Sequence, residues 1–312
     1  MPLPFLRLPD LVKTQVLLEV EPFDFYVFSL VSSKTKAIAA SSNKKIDKLT
    51  WNFRKNGYSL HLISDKRTIS LYVPIRDIHQ HLTSLKFDGE TLPMVCCPLY
   101  YKMSIGSNDL SNAEQKKLLE QMSDHVVDIF KIENFILSGY IFPHKDLVSK
   151  YTKKLKMISM NDDYVQAEFT DILGMFSVEQ FVMACGRIRV EGCDFDRPLN
   201  MKYLDCHDLE WLSDEALASL ECRSVIIHPK DFGNDIGRVV RAWETGGLKQ
   251  LEKFRVKTHH TTLEALTRVL EEFQLTDGDS YSRTQREDGA SAIVALNRHS
   301  ALRNEFVMRI ER

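Results

Sequence analysis

Glycine and proline are scarce in this chain, 13 and 10 of 312 residues, and that shortage argues against collagen, a long linker or a largely disordered protein. An excess of charge of one sign is lacking too. Forty-one Lys and Arg stand against 43 Asp and Glu, a formal charge of −2, so the basic surplus of a protein that grips nucleic acid over its whole surface is missing. Six cysteines (Cys96, Cys97, Cys185, Cys193, Cys206, Cys222) are too few in so long a chain for a disulfide scaffold, and none forms a CxxC pair. The most apolar early run, Val16 to Val31, is cut by Glu19, Glu21, Pro22 and Asp24, so neither a signal peptide nor a membrane span is expected. These shortages together predict an intracellular chain, cytoplasmic and/or nuclear, with free thiols and with no nucleic acid and no membrane among its partners. The adjacent Cys96 and Cys97 read as small buried hydrophobes.

Sequences that carry chemistry are equally thin. His79-x-His81, and Cys206-His207 with Asp205 and Asp208, have the residue types of metal or nucleophile sites, but neither has a second half at ligand spacing. Gly233-Asn234-Asp235-Ile236-Gly237 opens a helix, yet no Gly-Lys-Ser/Thr follows and no GxGxxG occurs. Four lysines lie between Lys150 and Lys156, which reads as a solvated face, and His259-His260 reads as a solvated loop. There is no G-x-S-x-G elbow and no HExxH. The expectation is a non-catalytic chain that needs no cofactor. A hydrolase built on Cys206, His207 or Asp208 stays as an alternative, and it requires those side chains to converge within about 3 Å.

What is present begins at the N-terminus. Leu8-Pro9-Asp10 opens a helix, with proline where its missing N–H costs nothing and Asp10 against the positive helix end. Leu8, Val12, Val16, Leu17 and Val20 recur at helical spacing as one apolar face. The helix stops at Glu21-Pro22. Asp24 is placed to cap a second helix carrying Phe25, Phe28, Leu30 and Val31 and running on through Ser32 to Ile38. Two or three helices in about 40 residues make too small a core to stand alone, so leftover apolar surface predicts a partner.

Beyond residue 41 the period changes from 3.6 to 2. Tyr58, Leu60 and Leu62 alternate, as do Ile69, Leu71 and Val73, with Ser64 to Arg67 as the turn of a hairpin. Asp88-Gly89 signals another turn. Ser111 and Glu114 have capping-box spacing before a helix whose stripe is Leu118, Met122, Val126, Ile129 and Phe130. From residue 132 an apolar unit h-x-x-h-x-h recurs: Ile132/Phe135/Leu137, Leu155/Ile158/Met160, Val178/Phe181/Met183, Met201/Leu204/Cys206, Cys222/Val225/Ile227 and Leu251/Phe254/Val256. Helical stripes fill several gaps, as in Asn234-Asp235 capping Ile236, Val239, Val240 and Trp243 before Gly246-Gly247, and in Leu263, Leu266, Val269, Leu270 and Phe273. One strand and one helix per repeat describes a degenerate leucine-rich-repeat-like α/β solenoid, without the regular Asn or Cys of a regular repeat. The expected division is a short helical unit at 1–45, a β-rich connection at 46–110 and a repeat-like domain at 111–312.

The string from Leu6 to Ser41 resembles an F-box: Leu8-Pro9, Val16, Leu17, Val20, Pro22 and Ser29-Leu30-Val31-Ser32 fill its pattern without an insertion. Val20 stands where Leu is common. The segment from Asp208 to Val256, with Asp288-Gly289, Ala292, Phe306 and Met308, is similar to the type-2 F-box-associated domain of the large nematode F-box families, through Trp211 and the Trp243-x-x-Gly246-Gly247 helix end. The resemblance implies a substrate-recognition subunit of an SCF-type cullin-RING ubiquitin ligase. It also implies that Leu8, Pro9, Val12, Val16, Leu17, Pro22, Leu30 and Val31 meet a Skp-family adaptor and through it a cullin, while the C-terminal domain holds an unidentified protein target. A rival reading is an interaction scaffold whose N-terminal helices only cap the solenoid. Capping helices predict that losing residues 1–40 unfolds the rest, whereas an independent F-box predicts a soluble 50–312 fragment.

Overall fold

Proline and serine punctuate the first helices. After a 3-10 turn at Phe5–Arg7, Pro9 stands at the N-cap of α1 (Asp10–Glu19), and Pro22 sits in the first turn of α2 (Pro22–Leu30). Contrary to the spacing, the second helix stops at Leu30 instead of running on to Ile38, and Asp24 does not cap it. Ser32 leaves the helical conformation and caps α3 (Ser33–Ser41): its Oγ accepts from Thr35 N at 3.1 Å, while Thr35 Oγ1 accepts from Ser32 N at 2.9 Å. A short hydroxyl side chain offers the backbone this local alternative to a continuing helix, which is why one expected helix is two.

This architecture is seen in a computed structural model that describes residues 5–55, 57–65, 67–73, 83–87, 90–97, 101–107, 109–160, 164–183, 188–189, 199–229, 234–258, 271, 281–286, 288–300 and 303–311. The chain is mixed α/β and divides into two units, Met1–Thr152 and Lys153–Arg312. The expected boundaries at 45 and 110 both fall inside the first. His79, His81, Asp88-Gly89, Cys185, Cys193, Gly233, His259-His260 and the stripe of Leu263, Leu266, Val269, Leu270 and Phe273 lie outside the described residues.

In the first unit the strands are β1 (Lys44–Arg54), β2 (Gly57–Ser64), β3 (Arg67–Val73), β4 (Thr83–Phe87), β5 (Glu90–Cys97) and β6 (Lys102–Ile105). They are followed by α4 (Asn112–Ile129), β7 (Phe130–Gly139) and α5 (Lys145–Ser149). The sheet order is β7-β1-β2-β3-β6-β5-β4. The hairpin forms in the expected register, Leu60 opposite Leu71 and Leu62 opposite Ile69. Ser111 and Glu114 make the expected capping box, and Leu118, Met122, Val126 and Ile129 are buried, while Phe130 has already passed into β7. α4 seats on the sheet through Trp51, whose indole N–H donates to Ser123 Oγ at 3.0 Å.

The second unit is laid down strand by strand: β8 (Lys154–Met160), β9 (Tyr164–Val165), α6 (Gln166–Met175), β10 (Ser177–Met183), β11 (Ile188–Arg189), β12 (Tyr203–Cys206), α7 (Asp214–Ala218), β13 (Ser224–Ile227), α8 (Asn234–Glu244) and β14 (Lys253–Thr258). Then come β15 (Tyr281–Gln285), β16 (Ser291–Ser300) and β17 (Arg303–Glu311). Strands β8, β10, β12, β13 and β14 are parallel neighbours in chain order, closed by antiparallel β17, β16 and β15. The recurring apolar unit is the register of this sheet. Ile158, Phe181, Leu204, Val225 and Phe254 are successive Cα partners, and so are Cys206, Ile227 and Val256. All are buried, because equivalent residues of stacked strands fall on the same face.

The Trp-x-x-Gly-Gly end of α8 has a packing reason. Trp243 is fully buried, Gly246 takes φ +87° to turn the chain, and a Cβ at Gly247 would lie 2.6 Å from Ala242 O and 2.9 Å from Ala218 Cα in α7. Only glycine permits both the left-handed turn and that approach. Trp211, Ala292, Phe306 and Met308 are core residues as well.

Candidate functional site

The apolar residues of α1 are divided between two directions. A helix advances about 100° per residue, so Leu11, Val12, Gln15, Val16, Leu18 and Glu19 share one broad side and Lys13 and Leu17 the other. Leu17 is only 2% exposed, whereas Leu11 is 73% and Val31, just after α2, 72%. Val12, Val16, Leu18 and Leu6 are also exposed. Water faces several apolar side chains of one short segment, and a cluster of that kind marks a surface made for a partner. Of the eight residues proposed from sequence, Pro9, Val12, Val16 and Val31 are exposed and Leu8, Pro22 and Leu30 half-buried, but Leu17 turns inward and holds the helix to its own unit. Leu11 and Leu18 escaped the sequence reading. They interrupt the i, i+4 spacing, and the only signal for them was that a ten-residue helix carries more apolar residues than one buried stripe can take.

The C-terminal end of α1 is tied down by a buried cation. The Lys44 ammonium, from the start of β1, donates to the carbonyls of Leu17 at 3.1 Å and Leu18 at 2.6 Å, satisfying the orphan acceptors of α1 and opposing its negative end. Burial draws the Lys44 pKa down, while Glu19 and Glu21 push it up. Helix α2 does the reverse of α1 and plunges its rings inward. Phe23, Phe25 and Tyr26 are buried, Phe25 meeting Phe130 at 5.1 Å between centroids, Tyr26 meeting His125 at 5.5 Å and Phe23 meeting Tyr101 at 6.0 Å. Ser29 Oγ lies 2.7 Å from His125 Nε2, and burial, then the Lys36 charge, push the His125 imidazole down to about 4. Lys36 pairs with Asp128 at 2.7 Å and Arg67 with Glu21 at 3.1 Å. The helices are thus part of the first unit and β1, which follows them directly, is one of its inner strands.

The other constellations resolve into structure. Cys206 is fully buried, and burial followed by the neighbouring Asp208 and Asp205 pushes its thiol well up, so it is a protonated core thiol rather than a nucleophile. Asp205 is engaged by His228 Nε2 at 3.0 Å and by the Tyr203 hydroxyl at 3.1 Å, and His207 Nδ1 lies 3.3 Å from the His228 carbonyl. Asp235, at the start of α8, accepts from Leu209 N at 3.3 Å, which places a carboxylate where a phosphate would have to sit. Lys150 pairs with Glu120, and Lys156 and Lys202 with Glu179 at 2.7 and 3.2 Å. Cys96 and Cys97 are free and half-exposed rather than buried. Among the described residues no group of three His, Cys, Asp or Glu gathers as metal ligands, and no helix is long and apolar enough to cross a membrane.

Comparison with known families places an F-box domain at residues 5–47. That span takes in α1, α2, α3 and the first residues of β1. No curated protein matches the chain, and neither does any solved structure.

Proposed function

We propose that this chain is the substrate-recognition subunit of an SCF-type ubiquitin ligase. F-box domains bind Skp-type adaptors, and the observation that carries the reading here is the exposed apolar side of α1, with Val31 exposed at the end of α2, inside the F-box match. Burying one such Leu or Val against a partner is worth roughly 1.5–3 kcal/mol, so four or five of them supply an interface without any charged hot spot. Leu8, Pro9, Val12, Val16, Pro22, Leu30 and Val31 meet the adaptor, joined by Leu11 and Leu18, while Leu17 keeps α1 in place. Through the adaptor the chain reaches a cullin. The second unit, a leucine-rich-repeat-like solenoid similar to a type-2 F-box-associated domain, presents the target. No bond is made or broken by this chain itself. It accelerates ubiquitin transfer by holding a target lysine near the donor, a gain in effective concentration.

Co-expression with a Skp-family adaptor followed by size-exclusion chromatography tests this. Wild type is expected to co-elute with the adaptor, and Leu11→Asp/Val31→Asp to elute alone while keeping its thermal transition. Wild type running free of the adaptor ends the proposal. Truncation at residue 50 does not separate this reading from the scaffold rival, because it cuts β1 in two and strips α2 from its seat.

A further inference from the structure

The second unit's sheet has a face opposite its buried ladder, and the strand register assembles charged rows across it. One row passes from Tyr203 through Ser224, Lys253 and Arg309 to Ile293 and Arg283. The next passes from Asp205 through Ile226 and Arg255 to Val307, and Lys257 stands opposite Glu305 just beyond. The acids of this face are already committed: Glu305 lies 3.6 Å from Arg255, Glu311 lies 3.4 Å from Arg283, and Asp205 holds His228 and Tyr203. Lys253, Lys257 and Arg309 are left without an ion-pair partner among the described residues.

Lys253 and Arg309 are moreover direct cross-strand partners, and like charges in that position destabilise a sheet. Burial, then Arg255 and Arg309, draw the Lys253 pKa down. Arg255 adds a buried Nε that makes no hydrogen bond. A fold that retains a repelling pair on an uncommitted face has a use for an anion there. Lys253 and Arg309 face each other, but Lys257 stands four residues along β14, about 13 Å away, with Arg255 and its partner Glu305 in between, so the cations form a row along the sheet rather than the convergent cradle a phosphate requires, and a chain of net charge −2 is ill suited to a nucleic-acid backbone.

We infer that this face docks a segment of the target protein rich in Asp and Glu, its carboxylates against Lys253, Arg309 and Lys257 and its apolar side chains against the half-buried Ile293. The inference rests on the reading of the second unit as the target-binding part, and it specifies the chemistry of what is bound.

Fluorescence anisotropy of the full chain tests it with four probes: a labelled peptide of alternating Glu and Val, its Lys-for-Glu version, a phosphoserine peptide lacking other acids, and a uridine oligonucleotide of matching length. The Glu peptide is expected to bind, to weaken as NaCl is raised, and to lose at least about tenfold in affinity in Lys253→Glu/Arg309→Glu. Lys249→Glu, on the exposed turn after α8, leaves binding unchanged. Single Lys253→Glu replaces a repulsion by an attraction, so its melting temperature rises while its affinity falls, an outcome that a folding defect does not produce. If the double variant does not fold, Lys257→Glu reads the same loss from the end of the row. Binding of the Lys peptide, a preference for the phosphopeptide or the oligonucleotide, or unchanged affinity in the folded charge variants overturns the inference. Adaptor co-elution is read on the same samples. Adaptor binding without peptide binding removes this inference alone, and peptide binding without adaptor binding removes the ligase reading alone.

Discussion

Helices α1 and α2 are neighbours of almost equal length, ten and nine residues, and they use their apolar residues in opposite ways. α2 commits Phe23, Phe25 and Tyr26 to the interior of the first unit, whereas α1 commits Leu17 alone and leaves Leu11, Val12, Val16 and Leu18 in water. α2 is the more apolar and the only one of the two that carries aromatic rings, and the surface each finds completes the difference. α2 lies where Phe130, His125 and Tyr101 supply ring partners. α1 is held at its C-terminal end by Lys44 and by one leucine, which orients a helix without covering it. One helix anchors and the other displays.

Substitutions sharpen this contrast. Phe25→Ala removes a buried ring and leaves a cavity, and is expected to destabilise the protein by about 3–5 kcal/mol, seen as a lowered midpoint in chemical denaturation; a midpoint within error of wild type would show that α2 is not an anchor. Acid comes next. The His125 imidazole is held at about 4 against 6.5 when unfolded, so the unfolded chain takes up the proton first. The contribution is whole above about pH 6.5 and is lost as pH falls towards 4, on the order of 3 kcal/mol when complete. His144, stacked 4.4 Å from Phe53 and also held at about 4 by burial, adds a slope of the same sign. His125→Gln is expected to flatten the stability profile across this interval, and an unaltered slope would deny the buried neutral histidine its role. The smallest effect belongs to α1: Leu11→Ser changes stability by no more than about 0.5 kcal/mol, and a larger loss would mean that this side chain is covered in the isolated protein.

Much of the second unit was legible beforehand. The h-x-x-h-x-h unit marks strands whose equivalent residues meet across a parallel sheet, and the register carries it from Leu155 to Val256. The hairpin of Tyr58 to Val73, the capping box of Ser111 and the stripe of α8 were readable because each is set by a local period or a short turn. The break at Ser32 was not read, because a capping hydroxyl inside an apolar run gives a weaker signal than the run itself. Nor could spacing show that α1 turns Val12 and Val16 outward. That depends on α3 and the start of β1 having taken the places beside it.

What the sequence determined by itself was local and periodic: where α1 and α4 start, which strands alternate, and that an F-box pattern of Leu-Pro and Ser-Leu-Val-Ser stands near the start. Tertiary structure alone decided which apolar residues are core and which are display, and which charges are paired. Leu17 and Val16 are adjacent and almost equally apolar, yet one is buried and the other is not. Lys253 and Arg309 lie far apart in the chain, yet they face each other across two strands. The physical reason is the same in both cases. Burial and Coulomb energy depend on distances through space, and those are set by packing between elements rather than by order along the chain.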